Sequence, residues 1–129
     1  MAIDDIETMG QEDAPDIVIA VRPGTTGEAW VLEHIPNATV EKVESVTDCM
    51  AGVCSGAYQA FCADLPVVAG QCASAFTDCT VCLEIPTGEQ YGIVVSKDNP
   101  GLTAAINQAL ANMTADGTMD ALKTQWFGE

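Results

Sequence analysis

Residues 16–22 read Asp-Ile-Val-Ile-Ala-Val-Arg, and this run constrains the fold more than any other segment of the chain. Between its charged ends it is continuously apolar and rich in β-branched residues. A strand with one wet face alternates apolar and polar residues, so a continuous run predicts a strand buried on both faces. Pro23-Gly24 breaks the run, and Thr25 and Glu28 then have the spacing of a capping box, which predicts a helix start. Trp30, Val31 and Ile35 supply the buried stripe of that helix, and Pro36-Asn37 ends it.

The same alternation continues. Thr39–Val43 reads as a second strand, and Ser45 and Asp48 repeat the capping spacing. Val46, Cys49, Met50 and Val53 recur at helical period, and Gly56 suits a left-handed C-terminal cap. Tyr58–Ala63 reads as a third strand, followed by a helix opened by Asp64-Leu65-Pro66. Cys79–Glu84 and Tyr91–Val95 are expected as further strands, separated by the turn Pro86-Thr87-Gly88. Asn99-Pro100 opens a helix whose stripe runs Leu102, Ala105, Ile106, Ala109, Leu110 and Met113, and Met119, Leu122 and Trp126 stripe the last one. Ile3, Ile6 and Met9 suggest a short opening helix. Strands alternating with helices predict an α/β fold of three layers, with a largely parallel sheet and flanking helices.

Charge narrows the partners. Nineteen acidic residues stand against four basic ones, a net charge of −15. Phosphate binding needs Lys and Arg to release counterions, so nucleic acid is excluded as a partner, and anionic membrane surfaces are disfavoured for the same reason. No apolar run approaches the ~20 residues of a membrane span, so membrane insertion is not expected. Met1-Ala2-Ile3-Asp4-Asp5 opens acidic where a secretory signal opens basic, and no signal peptide is expected.

Two features fall at strand ends, where open parallel sheets bind ligands. The loop Arg22-Pro23-Gly24-Thr25-Thr26-Gly27 leaves the first strand and starts a helix. Amides exposed at a helix N-terminus attract anions, and the glycines let backbone approach a ligand. The loop lacks the Lys-Ser/Thr ending of a nucleotide-phosphate loop. Asp64 leaves the third strand, and its carboxylate suits an ammonium group. Each feature also has a plain reading, a capped turn for the loop and a helix N-cap for Asp64. Together, an anion site on one strand end and an acid on another match a zwitterionic amino acid.

Six cysteines, Cys49, Cys54, Cys62, Cys72, Cys79 and Cys82, would permit three disulfides in 15 pairings. Most read as small core residues. Cys79-Thr80-Val81-Cys82 has the CxxC spacing of a metal or redox site, so zinc or a disulfide at Cys79 and Cys82 is the alternative. No cofactor is expected. His34 is the single histidine, and no nucleophile–base pair stands out, so the chain is not read as an enzyme.

Four segments carry a resemblance: Ile-Ala-Val-Arg-Pro-Gly-Thr-Thr-Gly-Glu (19–28), Ser-Gly-Ala-Tyr-Gln-Ala-Phe-Cys-Ala-Asp-Leu-Pro (55–66), Glu-Gln-Tyr-Gly-Ile-Val-Val-Ser-Lys-Asp-Asn-Pro (89–100) and Ala-Asp-Gly-Thr-Met-Asp-Ala-Leu-Lys-Thr-Gln-Trp-Phe-Gly (115–128). In order and spacing they resemble family 3 solute-binding proteins, the extracytoplasmic polar amino-acid receptors of ABC importers. The resemblance implies one lobe of a type II periplasmic-binding-protein fold, with residues 1–95 as the second lobe and 96–129 as a C-terminal helical tail packed on the same or a partner chain. It implies ligand contacts from Arg22, Gly24, Thr25 and Thr26, and an α-amino contact from Asp64. It implies a periplasmic or extracytoplasmic location, with an amino acid, a first lobe and an ABC permease as partners. The chain begins near the start of the second lobe, so the first lobe is expected to be missing and binding weak. The alternative is a truncated or engineered lobe that stands alone or self-associates without a ligand. An uncovered strand at Tyr91–Val95 and uncovered tail helices would then favour a homodimer through 91–127.

Overall fold

The computed structural model describes residues 14–127, with the side chain of Phe127 left aside. The expected opening helix around Ile3, Ile6 and Met9 lies outside the described residues. Element order is β1 (Val18–Val21), α1 (Thr26–His34), β2 (Thr39–Lys42), α2 (Val46–Ser55), β3 (Ala60–Cys62), α3 (Leu65–Ser74), α4 (Pro100–Ala115) and α5 (Thr118–Phe127). By internal contact the chain forms two compact units, Met1–Glu84 and Ile85–Glu129.

In the first unit three strands form a parallel sheet in the order β2-β1-β3. Val18 to Val21 pair with Thr39 to Lys42 on one side, and Ile19 to Val21 with Ala60 to Cys62 on the other. β1 is therefore central, as its two-sided apolar run requires, and Ile19, Ala20 and Val21 are all buried. Side chains alternate across the sheet. Ile19 and Val21 pack with Val31 and Ile35 of the α1 region, joined by Val40, Ala60 and Cys62. Phe61, whose side chain alternates to the opposite face, packs with Met50 and Val53 of α2 and with Cys72 of α3. Helices thus cover both faces, the expected three-layer α/β arrangement.

The local signals act as chemistry dictates. Thr25 caps α1, its hydroxyl accepting from Glu28 N at 3.2 Å, and Ser45 caps α2 by accepting from Asp48 N at 3.3 Å. Gly56 ends α2 at φ 79°, a left-handed conformation that side chains resist. Asn99 caps α4 by accepting from Leu102 N at 3.1 Å, with Pro100 in the first turn.

Two expected strands do not form. Residues 79–84 and 91–95 carry no strand and add nothing to the three-stranded sheet of the described residues. An apolar β-branched run becomes a strand only when a neighbour accepts and donates its backbone hydrogen bonds, and in β1 that condition is met on both sides. Tyr91, Ile93 and Val94 are exposed instead. The second unit consists of α4 and α5 with the segment that precedes them. No helix among the described residues is long and apolar enough to cross a membrane.

Candidate functional site

Parallel strands bring their carboxyl ends to one edge of the sheet. β1 delivers Arg22 and its loop there, β2 delivers the turn before Val46, and β3 delivers Ala63 and Asp64. Around this edge lies a small open pocket of about 60 Å³, lined by Arg22, Thr25, Gly27, Val46, Ala63, Asp64 and Val67.

The β1 exit loop is held by its own polar groups. The Thr25 hydroxyl donates to the carbonyl of Arg22 at 2.7 Å while capping α1. Gly24 turns at φ 74°, and its N–H donates to Glu28 Oε2 at 2.6 Å. Glu28 Oε1 meets Lys42 Nζ at 2.6 Å, which ties the loop to the end of β2. The hydrogen bond from Lys42 and then the Gly24 amide hold the Glu28 carboxyl below its usual range. In a capping box the acid answers the N-cap amide, but here it reaches one residue further back. Arg22 Nε donates to the carbonyl of Glu44 at 3.1 Å, which anchors the guanidinium toward the β2 exit.

Asp64 stands at the N-cap position of α3, yet its side chain makes no capping bond. Asp64 is thus a helix-start residue by position, without a side-chain cap, and it lines the pocket. Of the five expected ligand contacts, the structure brings Arg22, Thr25 and Asp64 together around one pocket. Gly24 and Thr26 do not line it, and the Gly24 amide is engaged by Glu28.

Val46, Ala63 and Val67 line the pocket without having been named as site residues in the sequence, and Gly27, read there as letting backbone approach a ligand, lines it with them. Val46 directly follows the Ser45 cap, and Ala63 and Val67 flank Asp64, so the strand-exit rule reaches all three once the sheet order is known. Gly27 has a separate reason. A Cβ there would lie 3.0 Å from the carbonyl oxygen of Cys62, so a larger residue would push the first turn of α1 and the end of β3 apart by a few tenths of an ångström.

The CxxC expectation is corrected. Cys79 is bonded to Cys54, 25 residues away, and not to Cys82. The Cys79 N–H donates to the Phe76 carbonyl at 2.9 Å, and Cys79 packs with Met50 and Val53, which brings it to the last turn of α2 where Cys54 sits. Cys54 is thus a bridging residue and not the small core residue expected. Cys49 is buried, and Cys62, Cys72 and Cys82 are half-buried outside the disulfide. Burial pushes the Cys49 thiol up, offset in part by the Arg22 guanidinium, and burial pushes Cys72 up as well. Such thiols behave as small apolar groups. Among the described residues no cluster of three or more His, Cys, Asp or Glu could hold a metal. His34 is exposed on the last turn of α1, stacked on Trp30 at 4.5 Å between ring centroids.

Residues 6–129 match the family described as bacterial extracellular solute-binding proteins, family 3. The chain is 31% identical to the glutamate-binding protein GluB of Corynebacterium glutamicum, covering 98% of this chain and 44% of that protein. It is 28% identical to the ABC transporter glutamine-binding protein GlnH of Bacillus subtilis, covering 98% of this chain and 45% of that protein. It superposes on an ancestral cationic amino acid solute-binding protein with a TM-score of 0.77 at 29% identity, covering 96% of this chain and 53% of the other. The chain spans about half the length of these relatives. With a parallel α/β sheet, a pocket at its strand exits and a match over residues 6–129, the chain belongs to family 3 of the bacterial extracellular solute-binding proteins.

Proposed function

We propose that the pocket is one wall of an amino-acid-binding site in a solute-binding protein of an extracytoplasmic ABC importer, working by recognition and not by chemistry. One observation carries this reading: the fold gathers a cation, a helix N-terminus and an acid at one sheet edge, from the exits of β1 and β3. Asp64 receives the ligand ammonium, and the first turn of α1 with the Thr25 loop faces its carboxylate. The relatives named for glutamate and glutamine binding support an amino acid as the ligand.

A volume of about 60 Å³ is well below the ~300–1,000 Å³ of complete small-molecule pockets. This wall therefore buries little of a ligand, and a second wall from a first lobe would supply the rest. The 129-residue chain is expected to bind polar amino acids with Kd around millimolar, roughly −4 kcal/mol. Amide shifts of Ala63, Asp64 and Thr25 in an NMR titration measure it. Submicromolar affinity in a monomer would refute the half-site, and absence of any shift would refute the amino-acid reading.

A second reading adds self-association. Tyr91, Ile93, Val94, Leu102, Leu122 and Trp126 of the second unit are exposed, more large apolar surface than such short segments leave open without a partner. We propose a homodimer through 91–127. Light scattering over a dilution series at physiological salt is expected to show a two-chain mass, and a one-chain mass at high micromolar protein would rule it out.

A further inference from the structure

We propose that the Cys54–Cys79 disulfide is an exchange site for small thiols, opened from one end: the incoming sulfur is captured on Cys54, and Cys79 is released. The two halves of the bridge sit in different surroundings. Cys54 lies on the last turn of α2 and is exposed. Cys79 is 8% exposed and shares an apolar cluster with Met50 and Val53, against which Cys72 and Phe76 pack.

In thiol–disulfide exchange a thiolate attacks one sulfur and the other leaves, so access decides which sulfur is taken. Solvent reaches Cys54, whereas the apolar cluster covers Cys79. The product favours the same end. A substituent on Cys54 extends into water from α2. On Cys79 it would have to be packed into the space beside Met50 and Val53, and overpacking a filled cluster is costly. The carbonyl end of α2 also carries partial negative charge, which disfavours a leaving thiolate on Cys54. The step balances without an oxidant. The bond from the incoming sulfur to Cys54 Sγ forms and the Cys54–Cys79 bond breaks. Cys79 Sγ leaves with the electron pair and takes a proton from water. The Cys79 N–H is bonded to the Phe76 carbonyl at 2.9 Å, which keeps the released thiol beside α2. Its return attack on Cys54 expels the small thiol and restores the bridge. The site is a reversible latch between α2 and the stretch that leaves the first unit at Glu84.

The test uses the 129-residue chain and 2-mercaptoethanol, an uncharged thiol that the net charge of −15 does not repel. Under anaerobic, native conditions the reaction is stopped by acid at intervals, free thiols are alkylated, and the peptides are mapped by mass without reduction. Cys49, Cys62, Cys72 and Cys82 are outside the disulfide and form no adduct with a reduced thiol. The adduct on Cys54 is expected to exceed that on Cys79 by about tenfold or more, with Cys79 newly alkylated. In concentrated urea the preference is expected to vanish, because the fold imposes it. Equal adducts in the native chain, a preference that survives urea, or a bridge that moves to Cys72 or Cys82 overturns the proposal. So does a bridge that stays closed to the thiol until the chain unfolds, or six alkylated cysteines before any thiol is added.

Discussion

Asp64→Asn is expected to weaken amino-acid binding by about ten- to a hundredfold, enough to remove a millimolar ligand from the measurable range. The substitution keeps the size of the side chain and removes only its charge. A hydrogen bond to a charged group contributes about 1.5–3 kcal/mol, against about 1 kcal/mol for a neutral one. Among the described residues Asp64 is the one acid lining the pocket, so no other side chain of that lining replaces its attraction for an ammonium group. The fold should survive, because Asn is as good as Asp at a helix start. The same titration reads the result, with the undisturbed amide spectrum as the check on folding. A retained affinity would show that the ammonium group lies elsewhere.

Breaking the Cys54–Cys79 disulfide is expected to lower the stability of the first unit by about 3–4 kcal/mol. The bridge closes a loop of 25 residues, and the chain-entropy relation gives roughly 3.5 kcal/mol for that length. Total stabilities run about 5–15 kcal/mol, so the loss is a large share. Urea unfolding of the double substitution Cys54→Ser, Cys79→Ser, beside the unaltered chain with and without reductant, measures it. Thiol counting under denaturing conditions checks the bridge directly. Four reactive thiols are expected before reduction and six after. Six before reduction, or a stability indifferent to reductant, would dismiss the bridge. A structural disulfide suits the oxidising, extracytoplasmic setting of this family.

The fold was legible where local chemistry and tertiary contacts agree. Residues 16–22 announce a doubly buried strand, and the register places β1 between two neighbours. Thr25, Ser45, Gly56 and Asn99 mark helix ends that the backbone respects. Legibility failed where the deciding partner is distant. Tyr91–Val95 has the composition of a strand, but composition does not provide a neighbour to pair with. The pairing of Cys79 with Cys54 depends on α2 and the 76–79 turn sharing one apolar cluster, which spacing cannot reveal. At the site, Arg22, Thr25 and Asp64 were readable because strand exits are readable. The capture of the Gly24 amide by Glu28 was not, since a capping box predicts a bond to the neighbouring amide.

The lining of the pocket has a consequence for how this chain can vary. The largest fully buried side chains of the first unit, Ile19, Val21, Val31 and Cys49, are absent from the pocket wall, and the wall residues Ala63 and Val67 are absent from both core clusters. Thr25, Gly27 and Val46 serve both the wall and the fold, whereas Val67 of the wall stands outside both core clusters. A single exchange at Val67 alters the shape of the pocket wall while the strand ladder keeps every hydrogen bond. A lineage built on this scaffold can therefore reshape the pocket wall at such a position with the sheet intact.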